Sequence, residues 1–423
     1  MQSNKSAIFA KLLILLIVIG FSARLICMIV LKSYVDPQAW EYGDIAENIV
    51  EGRGFSRINE FSHTIENTSS HAPLYPYFLS FFYQFGQKNS VYLIIQLIQI
   101  LVSALTIWII YKTTLLLFNR LSAIIAALGA SLYPPLIYYS TKLTPTVWTV
   151  FFMSLTIFFI LKLKNNSLGT TFLCGLTMGL SILTNPIAFA FFPALIIWYL
   201  VKKPVEFRKL CLLILVTLVV LVPWTIRNHK IHHRLVPVTT QFCKNLWIGN
   251  NPNATGTDYY RVVHDSNPHF VLMTSTLSRK IKDKLGRKTE IERSDYFITQ
   301  GLIFIVQNPT KFMNLLFTKA FYFWWFAPPE INGSVDAIKY RVINTMIYGP
   351  LLVLGIIGII LSLSHNYIKQ SLVILLVLII ISATYIFTHV GLARYRMPVE
   401  TILLIFASLS VNEFKGYFIK KQL

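Results

Sequence analysis

Asp36, Glu41, Asp44, Glu47 and Glu51 gather in one short stretch, DPQAWEYGDIAENIVEGRGF, that follows a long apolar run and is punctuated by Gly52 and Gly54. A carboxylate so placed can orient or deprotonate a hydroxyl, and desolvation beside an apolar face moves its pKa up toward the range of a general base. Helical spacing sorts the group. At 100° per residue Ala39, Tyr42, Ile45, Ala46, Ile49 and Val50 share an apolar arc, with Glu41, Asp44, Asn48 and Glu51 opposite, the pattern of an interfacial amphipathic helix. Glu41 falls at the edge of the polar arc beside Ile45, where partial desolvation acts. Asp36-Pro37 reads as N-cap and first residue of this helix, which should end at Gly52. Asp36 is thus explained as well by capping as by catalysis. Glu47 and Glu51 fit a solvated face.

Other side chains suit binding. His71-Ala-Pro73-Leu-Tyr75-Pro76 reads as a rigid extended entry into a short helix over 77–86, and His63 or His71 could touch a ligand, although isolated loop histidines are more often incidental. Arg227, Arg394 and Arg396 offer bidentate forks for a phosphate, and Lys142 a point charge. Each arginine has a plainer reading: Arg227 ends a span at Trp224 by snorkelling, and Arg394 or Arg396 pairs with Glu400 or an acid of the first loop. Asn250, in the turn Trp247-Ile-Gly249-Asn250-Asn251-Pro252, either contacts a sugar or does ordinary turn chemistry. The run His229, His232, His233 lacks the spacing and the neighbouring carboxylates of a ligand set, so no metal is expected.

The elements that must hold these residues are membrane helices. Of 423 residues 55% are apolar and only 13% charged, with mean hydropathy +0.58, against roughly 25% charged in a soluble domain. The formal charge of +20 does not imply nucleic acid, because the Lys and Arg sit mostly in short segments between apolar runs. The run from Ala7 to Leu31 is too long for a signal-peptide core, and further runs fall near 90–117, 121–139, 145–163, 168–184, 187–201, 209–225, 343–363, 371–388 and 396–414, about ten spans in all. Arg24 is the main charge inside a span. Three of the four cysteines fall within spans, so no external disulfide framework is expected.

Alternating the spans from a cytoplasmic N-terminus places Lys5, Arg120, Lys162, Lys202, Lys203, Lys369, Lys420 and Lys421 inside, as the positive-inside rule requires. Both termini are then cytoplasmic. The first loop, 33–89, and a large segment, 226–342, fall outside. The fold class expected is an all-α polytopic membrane protein. A catalytic N-terminal module (1–225) is followed by a mixed external segment (226–342) and C-terminal membrane helices (343–423).

In order, WEYGDIAENIVEGRGF (40–55), APLYPYFLSFFYQFG (72–86), PWTIRNHKIHHRLVPVTTQFCKNLWIGNNPNATG (223–256), IVQNPTKFMNLLFTKAFYFWWF (305–326) and RYRMPVE (394–400) resemble the C-type, polyprenyl-phosphate-dependent integral membrane glycosyltransferases, in the bacterial branch related to the protein O-mannosyltransferases and aminoarabinose transferases. The resemblance implies transfer of a glycosyl group from a polyprenyl-phosphate donor to an acceptor on the outer face of the plasma membrane, without metal or other cofactor. In those relatives an acid stands eight positions before the Ala of the "IA" pair. Here that position is Gln38, ahead of Ala46, so the carboxylate role passes to Glu41, with Asp36 and then Asp44 as alternates. A lipid phosphate is a good leaving group, so one carboxylate can suffice where a glycosidase needs two. The competing classes are a lipid-linked glycan flippase, which would place ionisable groups at mid-membrane, and a polysaccharide polymerase.

Overall fold

The computed structural model describes residues 2–163, 167–202, 206–257, 259–264, 267–324, 335–364, 367–388 and 393–422. Helix α1 (Gln2–Val30) leads into a first loop that carries α2 (Trp40–Val50), the antiparallel pair β1 (Ser56–Ile58) and β2 (Ile65–Asn67), and α3 (Leu74–Tyr83). The N-terminal bundle continues with α4 (Asn89–Leu117), α5 (Arg120–Leu132), α6 (Pro134–Tyr139), α7 (Thr146–Lys162), α8 (Leu168–Thr184), α9 (Phe191–Lys202) and α10 (Phe207–His232). The mixed segment comprises α11 (Gln241–Gly249), the hairpin β3 (Tyr259–His264) and β4 (Asn267–Leu272), α12 (Arg279–Gly286), α13 (Glu290–Gln307) and α14 (Pro309–Trp324). The chain then returns through α15 (Val335–Ser364), α16 (Ile368–Phe387) and α17 (Met397–Gln422).

Among the described residues, six helices are long and apolar enough to cross a membrane: α1, α4, α10, α15, α16 and the helix that opens near Arg394. The other four expected spans are occupied by shorter apolar helices. Helix α17 packs on α5, α7 and α15, and its side chains are buried continuously from Met397 to Ser410, so the last helix forms part of the core. Helices α8 and α10 approach closely at Gly175 and Gly179. A Cβ on Gly175 would lie 2.7 Å from the Leu213 carbonyl oxygen, and one on Gly179 would lie 2.7 Å from Val220. The Thr217 hydroxyl then reaches across to the Gly175 carbonyl at 3.1 Å. Small residues one turn apart let backbones meet where lipid supplies no hydrophobic drive.

The run 121–139, expected as one span, is broken. Tyr133 is extended (φ −67°, ψ 110°) because Pro134 excludes the α conformation from the residue before it. Pro134 and Pro135 also lack the N–H groups that would continue the ladder to Ala130 and Ser131. Those two carbonyls are taken by Arg24 of α1, whose guanidinium donates to Ala130 O (3.1 Å) and Ser131 O (3.2 Å), while its Nε donates to Ser103 Oγ at 2.7 Å. The charge inside the first span is therefore a helix cap for its neighbour.

Two starts in the first loop differ from expectation. Helix α2 begins at Trp40, with Ala39 rather than Asp36 as N-cap, because the chain turns through positive φ at both Asp36 (47°) and Trp40 (52°). Helix α3 begins at Leu74 rather than after Pro76. Proline is compatible with a first turn, whose N–H groups have no intrahelical acceptor, so Pro76 is no obstacle there. Asn48, expected on the polar face, is buried: its Nδ2 donates to Ser56 O (2.9 Å) and its Oδ1 accepts from Arg53 Nε (2.7 Å), tying the end of α2 to β1.

Candidate functional site

Helix α2 lays Ala39 and Ala46 against Tyr75, Leu79 and Tyr83 of α3, and this apolar contact fixes the orientation of its polar edge. Glu41 thereby faces His71, which stands just before α3. Around them lies a cavity of about 250 Å³ whose far side is formed by Pro145, Asn185 after α8, Gln241 and Asn245 of α11, Tyr385 of α16, and Arg394 with Tyr395 at the entry to α17. Residues from seven segments of the chain thus meet in one space.

The positions are well constrained. His71 Nδ1 pairs with Ser70 Oγ at 2.9 Å, and its ring meets Tyr42 edge to face at 5.1 Å. Asn185 caps the turn after α8 by accepting from Ile187 N at 3.1 Å, and Tyr385 stacks on Tyr395 at 5.4 Å. The Arg394 guanidinium lies 5.5 Å from the Tyr395 ring centroid. Arg57 of β1 approaches Glu41 at 3.5 Å.

Electrostatics in this group reverse one expectation. Burial pushes the Glu41 carboxyl up, as foreseen, but His71 in its protonated form, the charges of Arg57 and Arg394 and a backbone hydrogen bond outweigh it, so the net direction is down. Glu41 is a carboxylate at neutral pH. Burial, with the repulsion of Arg57, lowers His71 to about 4 against the pull of Glu41, so His71 is a neutral imidazole there. Asp44, though mostly solvent-facing, is raised by partial desolvation, with Arg57 pulling it down and Glu47 and Glu41 adding to the rise.

The remaining candidates lie elsewhere. Asp36 and Asp44 are exposed and outside the cavity lining. Lys142 lies over the Tyr138 ring at 4.7 Å, also outside it. Arg227 is engaged as a clamp: it donates to Phe55 O (2.7 Å), Thr68 O (2.7 Å) and Ser69 Oγ (3.0 Å) and stacks near Trp224. Helix α10 continues past the membrane run to carry it, so Arg227 fastens the first loop rather than merely ending a span. Arg396 is buried against Glu400 (2.6 Å), Phe323 O (3.0 Å) and the Tyr348 ring, the plainer of its two expected readings. Asn250 is fully buried, donating to Leu246 O (2.8 Å) and Phe387 O (3.0 Å) and accepting from Lys319 Nζ (3.0 Å). It does turn and packing work away from the cavity. His63 is exposed at a turn with φ 58°. Among the described residues no cluster of His, Cys, Asp and Glu could hold a metal ion.

Gln241, Asn245 and Tyr385 of the lining carry no functional signal within their own segments of the sequence. Nor does Glu290, which accepts from Ser69 N (2.9 Å) and the Thr240 hydroxyl (2.7 Å) and so ties the first loop to α13. Asn185 has a local signal as the cap before Pro186.

Residues 70–226 match the family model for dolichyl-phosphate-mannose-protein mannosyltransferase. The archaeal oligosaccharyltransferase AglB from Archaeoglobus fulgidus, solved with an inhibitory peptide and a dolichol-phosphate, has TM-score 0.58 at 14% identity, covering 99% of this chain and 52% of its own. The fold is that shared with the Archaeoglobus fulgidus oligosaccharyltransferase. A second structure of the Archaeoglobus fulgidus oligosaccharyltransferase, tethered to an acceptor peptide containing the NVT sequon, has TM-score 0.59 at 13% identity, covering 98% of this chain and 50% of its own. ArnT from Cupriavidus metallidurans bound to undecaprenyl phosphate has TM-score 0.41 at 15% identity, with 98% and 79% covered. This chain spans about half the length of the oligosaccharyltransferase chains it matches. A search of curated proteins returned no match. Of the cavity residues, His71, Pro145 and Asn185 lie inside the family match, whereas Glu41 and Arg394 lie outside it.

Proposed function

We propose that the protein transfers a glycosyl group from a polyprenyl-phosphate-linked donor to an acceptor on the outer face of the plasma membrane, with inversion at the anomeric carbon. The observation that carries this reading is the convergence of one carboxylate, one guanidinium and one neutral imidazole, Glu41, Arg394 and His71, on a single cavity among apolar helices. The acceptor hydroxyl attacks the anomeric carbon as the bond to the phosphate oxygen breaks. Its proton passes to Glu41, and polyprenyl phosphate leaves with the bonding pair. Arg394 supplies the counter-charge for the departing phosphate. Neutral His71 can donate or accept a hydrogen bond at a sugar hydroxyl without adding charge. Asp36 and Asp44 rank behind Glu41 because they do not face the cavity. Both termini are assigned to the cytoplasm and the cavity to the outer side, on the distribution of Lys and Arg.

The test is incubation of the purified protein with a panel of polyprenyl-phosphate sugars and membrane extract, scoring release of polyprenyl phosphate and label in the acceptor. Strict dependence on a nucleotide sugar, or movement of intact lipid-linked glycan without bond cleavage, would overturn it.

A further inference from the structure

A second, smaller cavity of about 80 Å³ opens beside the first, between the β1–β2 pair, α11 and α13. The two share Ser70 and Gln241 in their walls, so they form neighbouring chambers of one cleft. Arg57 lines the second chamber while approaching Glu41 of the first.

The charges of the second chamber are unequally engaged. Glu60 is held by Lys244 at 2.5 Å, and Glu66 by Arg293 and by Asn59 Nδ2 (3.2 Å). Glu290 accepts from Ser69 N and the Thr240 hydroxyl and stands 4.0 Å from His232. The acids are therefore occupied, including Glu66, which sits opposite Arg57 across the strand pair. Arg57 differs. Its ionic contact is the 3.5 Å approach to Glu41, and among the described residues its guanidinium makes no hydrogen bond to a protein acceptor. A fork with five donors and one long contact is left open toward the cleft.

We infer that this chamber is the acceptor subsite and that Arg57 recognises an anionic oxygen group, phosphate or carboxylate, carried by the acceptor near its nucleophilic hydroxyl. The inference rests on the transferase reading above and adds the charge class of the acceptor. Three observations support it: the shared wall brings an occupant of this chamber to the reacting centre, the acids leave no site for a cation, and Arg57 is the open positive group. A ligand anion on Arg57 would also draw it from Glu41. That weakens one of the charges that hold the Glu41 proton affinity down, so acceptor arrival would make Glu41 a better base.

Two measurements decide it, both on the full chain in lipid nanodiscs. The first titrates inorganic phosphate, and separately acetate, and reads the thermal unfolding midpoint in an Arg394→Ala background, which removes the donor-side fork. Either anion should raise the midpoint, and adding Arg57→Gln should abolish the rise. No rise in the Arg394→Ala protein, or the same rise with Arg57→Gln, overturns the inference. The second supplies a labelled polyprenyl-phosphate sugar with membrane lipids separated by anion exchange. Label should enter the anionic fraction, and Arg57→Gln should raise the acceptor KM tenfold or more while the donor KM holds, with partial recovery in Arg57→Lys. Equal use of the neutral fraction overturns the acceptor assignment alone. Absence of turnover with every donor overturns the transferase reading instead, and the anion titration still decides whether Arg57 is an anion site.

Discussion

Arg24 and Arg394 are both guanidiniums carried by the helical body, and their surroundings are opposite. Arg24 is fully buried and donates to Ser103 Oγ and to the carbonyls of Gly20, Ala130 and Ser131, so the site is closed. Arg394 faces a cavity of about 250 Å³ in company with tyrosine rings, a carboxylate and amide side chains from other elements. A buried charge that is fully satisfied holds helices together; one that looks into a cleft has bonding capacity left for a ligand. Arg396 and Arg227 fall on the Arg24 side of this division, although in sequence they look like Arg394.

Substitutions can break the comparison. The largest effect belongs to the open site: Glu41→Gln should lose on the order of 10² to 10⁴ in transfer rate, with the unfolding midpoint and donor affinity kept. Near-normal turnover in that variant together with a dead Asp36→Asn would move the base to Asp36. Next, Arg24→Met should cost about 2 to 4 kcal/mol of stability, because two α5 carbonyls lose their donor inside the bilayer, and donor affinity in the surviving folded fraction should stay unchanged. Unfolding in graded denaturing detergent reads this, and unaltered stability would show the cap to be dispensable. Arg394→Ala should then weaken donor binding about tenfold, or ~1.4 kcal/mol, whereas Arg396→Leu should lower stability and spare the donor constant. Equal donor loss in the two variants would erase the distinction between open and closed sites.

The smallest effect concerns pH. His71 is held near 4 in the folded chain against about 6.5 when unfolded, so between these values the unfolded state binds the extra proton. Its contribution to stability is therefore complete above about pH 6.5 and is lost as pH falls toward 4. His71→Asn should flatten the dependence of the unfolding midpoint over that window. An unchanged slope would place His71 in contact with water rather than in a dry wall.

The positions of the membrane helices were legible because runs of apolar residues announce themselves regardless of tertiary context. Breaks and starts were less so. Pro134-Pro135 marked a helix interruption openly, yet the apolar run on either side hid it, while Pro73 and Pro76 suggested an extended segment where a helix had room for them in its first turn. The start of α2 coincides with positive φ at Trp40, a conformation that residue type does not announce. In the cavity, Glu41, His71 and Arg394 were accessible from residue type and place. Tyr385, Gln241 and Asn245 were not, since neutral side chains acquire meaning there only through neighbours far away in sequence. Arg227 and Arg396 were misleading for the same reason: a fork's partners, Phe55, Thr68 and Phe323, lie between 73 and 172 positions off.

The Arg24 cap has a consequence for how the chain is made. When α1 enters the bilayer alone, its guanidinium keeps the Gly20 carbonyl of its own helix but lacks Ser103, Ala130 and Ser131, a burden of at most about 2.5 to 3.5 kcal/mol, the cost of an arginine at mid-helix. Ser103 of α4 arrives first, and the last two acceptors come only once α5 has been synthesised and ended by the two prolines that follow it, roughly a hundred residues later. Nascent α1 should therefore linger at the insertion machinery or its interface until α5 emerges, so that seating of the first helix is timed by the third apolar segment to leave the ribosome.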